Sequence, residues 1–201
     1  MKIRTGDVSF LASQLFNTTL MSRVLGNFPE TYNSQRVAVF GHSLGGATAA
    51  ICAQEDSSVI GGLNFDGTVF GPVGEQGFKG KPFVLVASTR IANNTVPPLP
   101  GWDEFYQNVD AAKMLLAVRD TQHYSFMDIP ILLMDYPLLV SSKPVVEQVI
   151  GTLDARRLEK AQNEIMSGLL DLLFKNQTKA LEHLARNSDI LVVQDDLTDC
   201  S

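Results

Sequence analysis

The sequence has little of several features that mark particular classes of protein. Two cysteines in 201 residues are too few for the disulfide framework of a small secreted domain. Basic residues are also few: 16 lysines and arginines compare with 22 acidic residues. The resulting formal net charge of −6 argues against nucleic acid as a partner. No spacing of cysteine, histidine and acidic residues resembles a metal site. We therefore predict a protein without a metal, a cofactor or a nucleic-acid partner.

Long hydrophobic runs are also missing. The best candidate, residues 129–140, is interrupted by proline and aspartate and is too short to span a bilayer. This segment predicts either a helix buried against the domain or an apolar contact with a lipid surface.

The composition is that of one globular domain. Hydrophobic residues make up 45% of the chain and charged residues 19%, which is ordinary for an α/β protein with its own core. We predict a single domain over residues 1–201, in which about residues 187–201 form a peripheral tail. Apolar residues recur at helical spacing over residues 145–150 and 154–174, and these segments are expected to pack on a sheet.

The most informative segment is RVAVFGHSLGGATAA, residues 36–50. It predicts a strand, a sharp turn that carries Ser43, and a helix of small residues. Such a turn has no room for a bulky side chain two positions before or after the serine, and Gly41 and Gly45 occupy both positions. This pattern is typical of the nucleophile of an α/β-hydrolase, in which the N–H of Leu44 would bind the oxyanion. The alternative is a glycine-rich turn with an idle serine.

A nucleophilic serine needs a base, and the chain has three histidines. His42 is adjacent to Ser43, so its side chain leaves the turn in a different direction and is expected to pack behind it. His183 lies in a short amphipathic helix and is expected to be solvated or to cap the helix. His123 follows a strand-like run in a predicted loop, and we predict that it is the base.

The order of the triad in this fold places the acid between the serine and the histidine. Asp66 directly follows the strand pattern of residues 59–65, and it is the predicted acid because a carboxylate at a strand end can meet a neighbouring loop. Three other carboxylates are alternatives, two on a predicted helix that faces solvent and one that would cap the histidine loop: Asp103, Asp110 and Asp120.

Four segments resemble the serine-dependent platelet-activating-factor acetylhydrolases of the plasma type and their fungal relatives: residues 41–48, 61–70, 82–86 and 123–128. The intervals between serine, acid and histidine are similar to those of that family. There the acid follows the strand next to the serine strand, and residues 88–94, after the next strand, contain no carboxylate. The resemblance covers about residues 5–175.

The resemblance implies an α/β-hydrolase fold, a mostly parallel sheet with flanking helices. It implies removal of a short sn-2 acyl group from a phospholipid through an acyl-enzyme, with Ser43, Asp66 and His123 as catalytic residues. A generic carboxylesterase or lipase is the alternative activity. Three aromatic residues are candidates for the acyl pocket, with core packing as the alternative for each: Phe70, Trp102 and Phe105.

The early position of the serine predicts an incomplete fold. Four strands and their helices usually precede the serine turn, and the 42 residues before Ser43 are too few for them. The sheet is therefore expected to lack its first strands, together with the loop that supplies the second oxyanion donor. A fragment with impaired catalysis is a further alternative.

The compartment is weakly indicated. Residues 1–6 open no apolar run, so no secretory signal is predicted in this chain. Three Asn-x-Thr sequons are typical of a secreted parent protein: Asn17, Asn93 and Asn176. The predicted partner is a phospholipid or another small ester.

Overall fold

A five-stranded sheet organises the protein in the computed structural model, which describes residues 1–26, 36–89, 96, 99–136 and 142–197. Its strands are β1 (Val37–His42), β2 (Val59–Phe65), β3 (Phe83–Ser88), β4 (Lys113–Val118) and β5 (Ile190–Asp196), and they lie side by side in that order. The first four strands are parallel, and β5 is antiparallel to β4. The mostly parallel sheet confirms the predicted α/β class. Within the described residues, β1 forms one edge and β5 the other.

Helices flank the sheet on both faces. They are α1 (Lys2–Leu15), α2 (Thr18–Leu25), α3 (Leu44–Glu55), α4 (Pro72–Gln76), α5 (Trp102–Asn108), α6 (Ile129–Asp135), α7 (Lys143–Ile150), α8 (Ala155–Lys175) and α9 (Lys179–Glu182). In the described part of the chain, short 3₁₀ helices also cover His123–Phe126 and His183–Arg186. The helices that the periodicity predicts over residues 145–150 and 154–174 are confirmed as α7 and α8.

The longest helix, α8, covers one face of the sheet because its apolar residues fall on one side. Ile165 and Leu169, one turn apart, are buried against strand residues such as Leu63 and Met114. Asp154 caps the start of the helix, since its carboxylate accepts the N–H groups of the next turn.

Small residues pack α3 on the other face. Ala50 and Ala53 of this helix are fully buried, and the core on this side also contains Phe83 and Phe105. Cys52 is 1% exposed and is a small apolar core residue. Burial, followed by the nearby carboxylates, raises the pKa of its thiol to about 11, so the thiol stays protonated at neutral pH.

Part of the predicted peripheral tail belongs to the sheet. Residues 190–196 form β5, whose backbone pairs with β4, and Ile190 is 4% exposed. Asp189, just before β5, accepts hydrogen bonds from Arg157 of α8. The tail therefore adds an antiparallel edge strand that is tied to the long helix.

The segment predicted as either buried or lipid-facing becomes α6, a surface helix. Pro130 is its one buried residue, whereas Leu132 and Met134 are exposed. Burial of the whole segment is therefore wrong, and the lipid contact stays a prediction. Among the described helices, none is long and apolar enough to cross a membrane.

Some expectations concern residues outside this description. They are the sequon at Asn93 and residues 137–140 of the apolar segment.

Two neighbouring leucines of α8 test how strongly this helix holds the fold. Leu169 is 1% exposed and Leu170 is 38% exposed. Leu169→Ala leaves a cavity in the core and should lower the free energy of unfolding by about 2–5 kcal/mol, whereas Leu170→Ala should cost less than about 1 kcal/mol. Urea unfolding measures both values. Equal losses would show that α8 does not pack as described.

Candidate active site

Ser43 is the single residue between the end of β1 and the start of α3. Its backbone has φ 57° and ψ −122°, a left-handed conformation that costs a non-glycine residue about 1–3 kcal/mol. Two hydrogen bonds hold it there. The Ser43 N–H donates to the carbonyl of Phe65 (2.8 Å), and the Ser43 carbonyl accepts from the N–H of Ala47 (3.1 Å). The predicted strand, turn and helix thus converge on a strained serine.

His123 connects Ser43 to Asp66. Its Nε2 lies 2.9 Å from Ser43 Oγ, and its Nδ1 lies 2.8 Å from Asp66 Oδ2. An ionised carboxylate only accepts hydrogen bonds, so Nδ1 carries the proton and Nε2 is left to accept the proton of the serine hydroxyl. The structure therefore brings the three predicted residues into one hydrogen-bonded chain in which each side chain can act on the next.

The Asp66 side chain is 4% exposed, and its charge is met by hydrogen bonds. Ser88, at the end of β3, donates its N–H to Asp66 Oδ1 (2.7 Å) and directs its hydroxyl at both oxygens (3.0 Å each). Asp66 has φ 53°, and its N–H donates to the carbonyl of Val86 (2.8 Å). The acid is thus fixed through its backbone and its carboxylate.

Asn64 secures the turn that follows the acid, and the sequence analysis missed this role. Its side chain is fully buried; Oδ1 accepts from the Gly67 N–H (2.9 Å) and Nδ2 donates to the Gly67 carbonyl (2.7 Å). The indole N–H of Trp102 donates to the same carbonyl (2.7 Å). A polar residue inside an otherwise apolar strand was the available signal, because a buried amide needs partners.

The His123 loop is tied to two other elements. Gln122 donates from its side chain to the carbonyl of Thr89 (3.0 Å), and its N–H donates to Ser125 Oγ (2.7 Å). The Ser125 hydroxyl in turn donates to the carbonyl of Ile150, at the end of α7. The 3₁₀ helix that carries His123 is therefore tied both to the residue after β3 and to α7.

Residues 11–165 match the family described as "Platelet-activating factor acetylhydrolase, isoform II". The chain belongs to this family. The predicted resemblance to platelet-activating-factor acetylhydrolases is confirmed. No curated protein matches the sequence.

Among solved structures, the fold is similar to that of a ferulic acid esterase from Streptomyces cinnamoneus. The TM-score is 0.72 at 23% sequence identity, over 96% of this chain and 54% of that one. This likeness confirms the α/β fold. The chain spans about half the length of the esterase.

The three carboxylates that were alternatives to Asp66 as the acid do not contact the His123 ring. Asp103 is exposed in the first turn of α5, and Asp110 forms an ion pair with Lys79 (3.2 Å). The backbone carbonyl of Asp120 accepts from the N–H groups of Thr152 and Leu153, at the junction before α8. Asp66 is the carboxylate that holds the His123 ring.

His42 lies behind the turn, as expected, and supports His123. Its Nε2 lies 2.8 Å from the backbone carbonyl of His123, and since a carbonyl only accepts, this nitrogen carries the proton. The two rings are 4.6 Å apart between centroids. Burial, and then the nearby His123, lower the pKa of His42, which keeps the His42 ring neutral beside His123.

The third histidine, His183, lies away from these residues and lines a groove beside α8.

The predicted oxyanion donor is suitably placed. Leu44 is the first residue of α3, and its N–H has no hydrogen-bond partner among the described residues. The positive end of the helix dipole adds to the attraction for an anion there. Its role in binding an oxyanion stays a prediction.

Within the described part of the chain, no group of three or more histidine, cysteine or acidic side chains could hold a metal ion.

Two of the three aromatic residues predicted to line a pocket are core residues. Phe105 is 1% exposed and packs edge-on against Phe83, with ring centroids 5.4 Å apart. Trp102 is 4% exposed, and its indole holds the turn at Gly67. Core packing, the alternative given for each, describes these two residues, because they lie on the buried side of α5, which is turned toward the sheet. Phe70, which is 46% exposed on the loop after Asp66, remains a candidate.

The glycines required at the turn differ from those expected. A Cβ on Gly41 would lie 2.4 Å from the Gly45 carbonyl carbon, so Gly41 is required. A Cβ on Gly45 itself would meet nothing within 4 Å, whereas one on Gly46 would lie 1.8 Å from Asn64 Oδ1. The expectation for Gly45 was wrong, because its backbone crowds Gly41 while its own Cβ direction faces open space.

Alanine at Gly45 and alanine at Gly46 should have opposite effects on thermal stability. Gly46→Ala forces apart a side chain that is held by two hydrogen bonds, and this overpacking should lower the Tm by about 3–10 °C. Gly45→Ala should keep or raise the Tm, because alanine favours a helix. Thermal unfolding of both variants measures the difference, and a loss at Gly45 as large as that at Gly46 would contradict it.

The lowered pKa of His42 predicts a pH dependence of stability. Below about pH 6.5, His42 in the unfolded chain takes up a proton before His42 in the folded protein does. Its contribution to the free energy of unfolding is therefore present above that pH and is lost as the pH falls. His42→Gln has no such titration, so its stability should fall less than that of the wild type between about pH 8 and about pH 5.5. Urea unfolding at both pH values tests this, and identical losses would refute it.

Proposed function

We propose that this chain carries the catalytic residues of a serine carboxylic ester hydrolase that removes a short sn-2 acyl group from a phospholipid. The observation that supports the ester chemistry is the unbroken chain of hydrogen bonds from Asp66 through His123 to Ser43. Membership of the acetylhydrolase family supports the phospholipid as substrate.

In the first half of the proposed reaction, Ser43 Oγ bonds to the ester carbonyl carbon while its proton passes to His123 Nε2. The carbonyl π electrons move onto the oxygen, and the Leu44 N–H stabilises that oxyanion. Asp66 stabilises the imidazolium, since its carboxylate is fixed 2.8 Å from Nδ1. When the intermediate collapses, the ester C–O bond breaks and the leaving alcohol takes the proton from Nε2.

In the second half, water replaces the alcohol. His123 Nε2 takes a proton from the water while the hydroxide bonds to the acyl carbon. When this intermediate collapses, the bond between the acyl carbon and Ser43 Oγ breaks, Oγ takes back the proton from Nε2, and a carboxylic acid is released. A neutral His42 matters in both halves, because a second positive ring at 4.6 Å would oppose formation of the imidazolium.

A lipid surface next to the site is part of this proposal. The exposed apolar residues Leu132 and Met134 lie on α6, which packs against the 3₁₀ helix of His123. Tyr124, in that 3₁₀ helix, and Met127, directly after it, are also exposed. These residues would face a lipid surface from which the substrate is taken.

Two other readings have support. The fold likeness to a ferulic acid esterase favours a general carboxylesterase that acts on small esters. Impaired catalysis would follow if Leu44 were the sole oxyanion donor, since one lost donor costs about 10²–10³ in rate.

A fluorophosphonate tests the nucleophile, because it reacts with a serine already activated by its base. One adduct per chain is expected by intact mass, with none in Ser43→Ala or His123→Ala. Asp66→Asn should label about 10⁴-fold more slowly. His183→Ala is the matched control and should label like the wild type. Absence of an adduct in folded wild-type protein would contradict an activated Ser43 and favour the alternative of impaired catalysis.

Substrates then separate the activities. Phosphatidylcholines with an acetyl, hexanoyl or palmitoyl group at sn-2 are compared with p-nitrophenyl acetate, and kcat/KM should be highest for the acetyl phospholipid. Preference for the nitrophenyl ester over every phospholipid would favour the general carboxylesterase.

A further inference from the structure

Ser88 has no role in the reaction as described, yet it faces the acid. It is the last residue of β3, next to β2 in the parallel sheet, so the two strand ends lie at the same edge. Asp66 follows β2 and extends the pairing, since its N–H donates to the carbonyl of Val86. Ser88 is 7% exposed, so its hydroxyl is largely shielded from water. Its partners are therefore protein atoms.

Those partners are the two oxygens of the Asp66 carboxylate. The hydroxyl lies 3.0 Å from Oδ1 and 3.0 Å from Oδ2, and the Ser88 N–H lies 2.7 Å from Oδ1. One hydroxyl proton is thus shared between both oxygens, including the oxygen that accepts from His123 Nδ1. Ser88 and His123 therefore compete for the negative charge of one buried carboxylate.

We infer that Ser88 is a positioning residue that acts through Asp66: its hydroxyl holds part of the carboxylate's charge and so limits how strongly Asp66 stabilises a protonated His123. The inference about the reaction rests on the proposed function; the effect on His123 does not. Without the hydroxyl, the carboxylate presents more charge to Nδ1, and His123 holds its proton to a higher pH. A serine that only filled space would have no such effect.

Other titratable groups near His123 must be considered in the test. Three residues contact the ring or lie beside it: Asp66, His42 and Tyr124. The elements packed against its 3₁₀ helix add four charged residues at or within α6 and α7: Asp128, Asp135, Lys143 and Glu147. Asp135 pairs with Arg156, and Lys143 with Glu147. All of these residues are kept in the Ser88 variants below, and His42 is replaced only in the variant that assigns its signal.

The experiment is an NMR titration of the three histidines of the wild type, Ser88→Ala and Ser88→Thr. His42→Gln and His183→Gln assign the signals. The midpoint of His123 should rise by about 0.3–1 pH unit in Ser88→Ala, the size expected from the loss of one hydrogen bond of ordinary strength. Ser88→Thr keeps the hydroxyl and should titrate close to the wild type. An unchanged or lowered midpoint in Ser88→Ala overturns the inference.

The chain offers a matched control. Ser58 also donates its hydroxyl to a carboxylate, Asp56 Oδ1 (2.7 Å), at the opposite end of β2 from Asp66. Ser58→Ala removes the same kind of hydrogen bond and should leave the His123 midpoint unchanged. A rise as large as that in Ser88→Ala would show a general effect and overturn the inference.

Two further points keep the test decisive. If Ser88→Ala fails to fold, Ser88→Cys retains most of the volume with a weak donor, and the same upward shift is expected. In an active enzyme, the acid limb of kcat/KM should move upward with the NMR midpoint. A shifted midpoint without esterase activity would refute the proposed function alone. Activity with an unshifted midpoint would refute the role of Ser88 alone.

Discussion

The close approach of two backbone segments at the ends of β1 and β2 is the constraint on which the site depends. A Cβ on Gly67 would lie 2.0 Å from the Ser43 carbonyl oxygen, and one on Gly46 would lie 1.8 Å from Asn64 Oδ1. Only glycine permits such contact. Because Ser43 is on one segment and Asp66 on the other, this packing sets the distance that His123 bridges.

Burial of the acid explains much of the surrounding hydrogen bonding. A carboxylate removed from water needs donors, and Asp66 has them from Ser88 and His123. Burial also keeps the neighbouring His42 uncharged, by lowering its pKa. The result is a site with one acidic and one basic group in a fixed order, held by backbone contacts from three strand ends.

Local patterns predicted most of the fold, because helices and the serine turn have short-range signals. The spacing of apolar residues identified α8 before the structure did, since a helix that covers a sheet buries one side. It did not identify β5. A short strand in a terminal segment has no distinctive local pattern, and its role depends on pairing with β4, residues far away in the chain.

The sequence by itself determined which residues form the site: Ser43 in its turn, Asp66 at a strand end and His123 in a loop are recognisable from residue types and order. Only the tertiary structure decided which groups surround them. It placed Ser88 on the acid, turned Phe105 into the core, and required glycine at position 46 and not at 45. These outcomes depend on distances between segments that are remote in sequence, and such distances follow from packing of the whole domain and not from any local pattern.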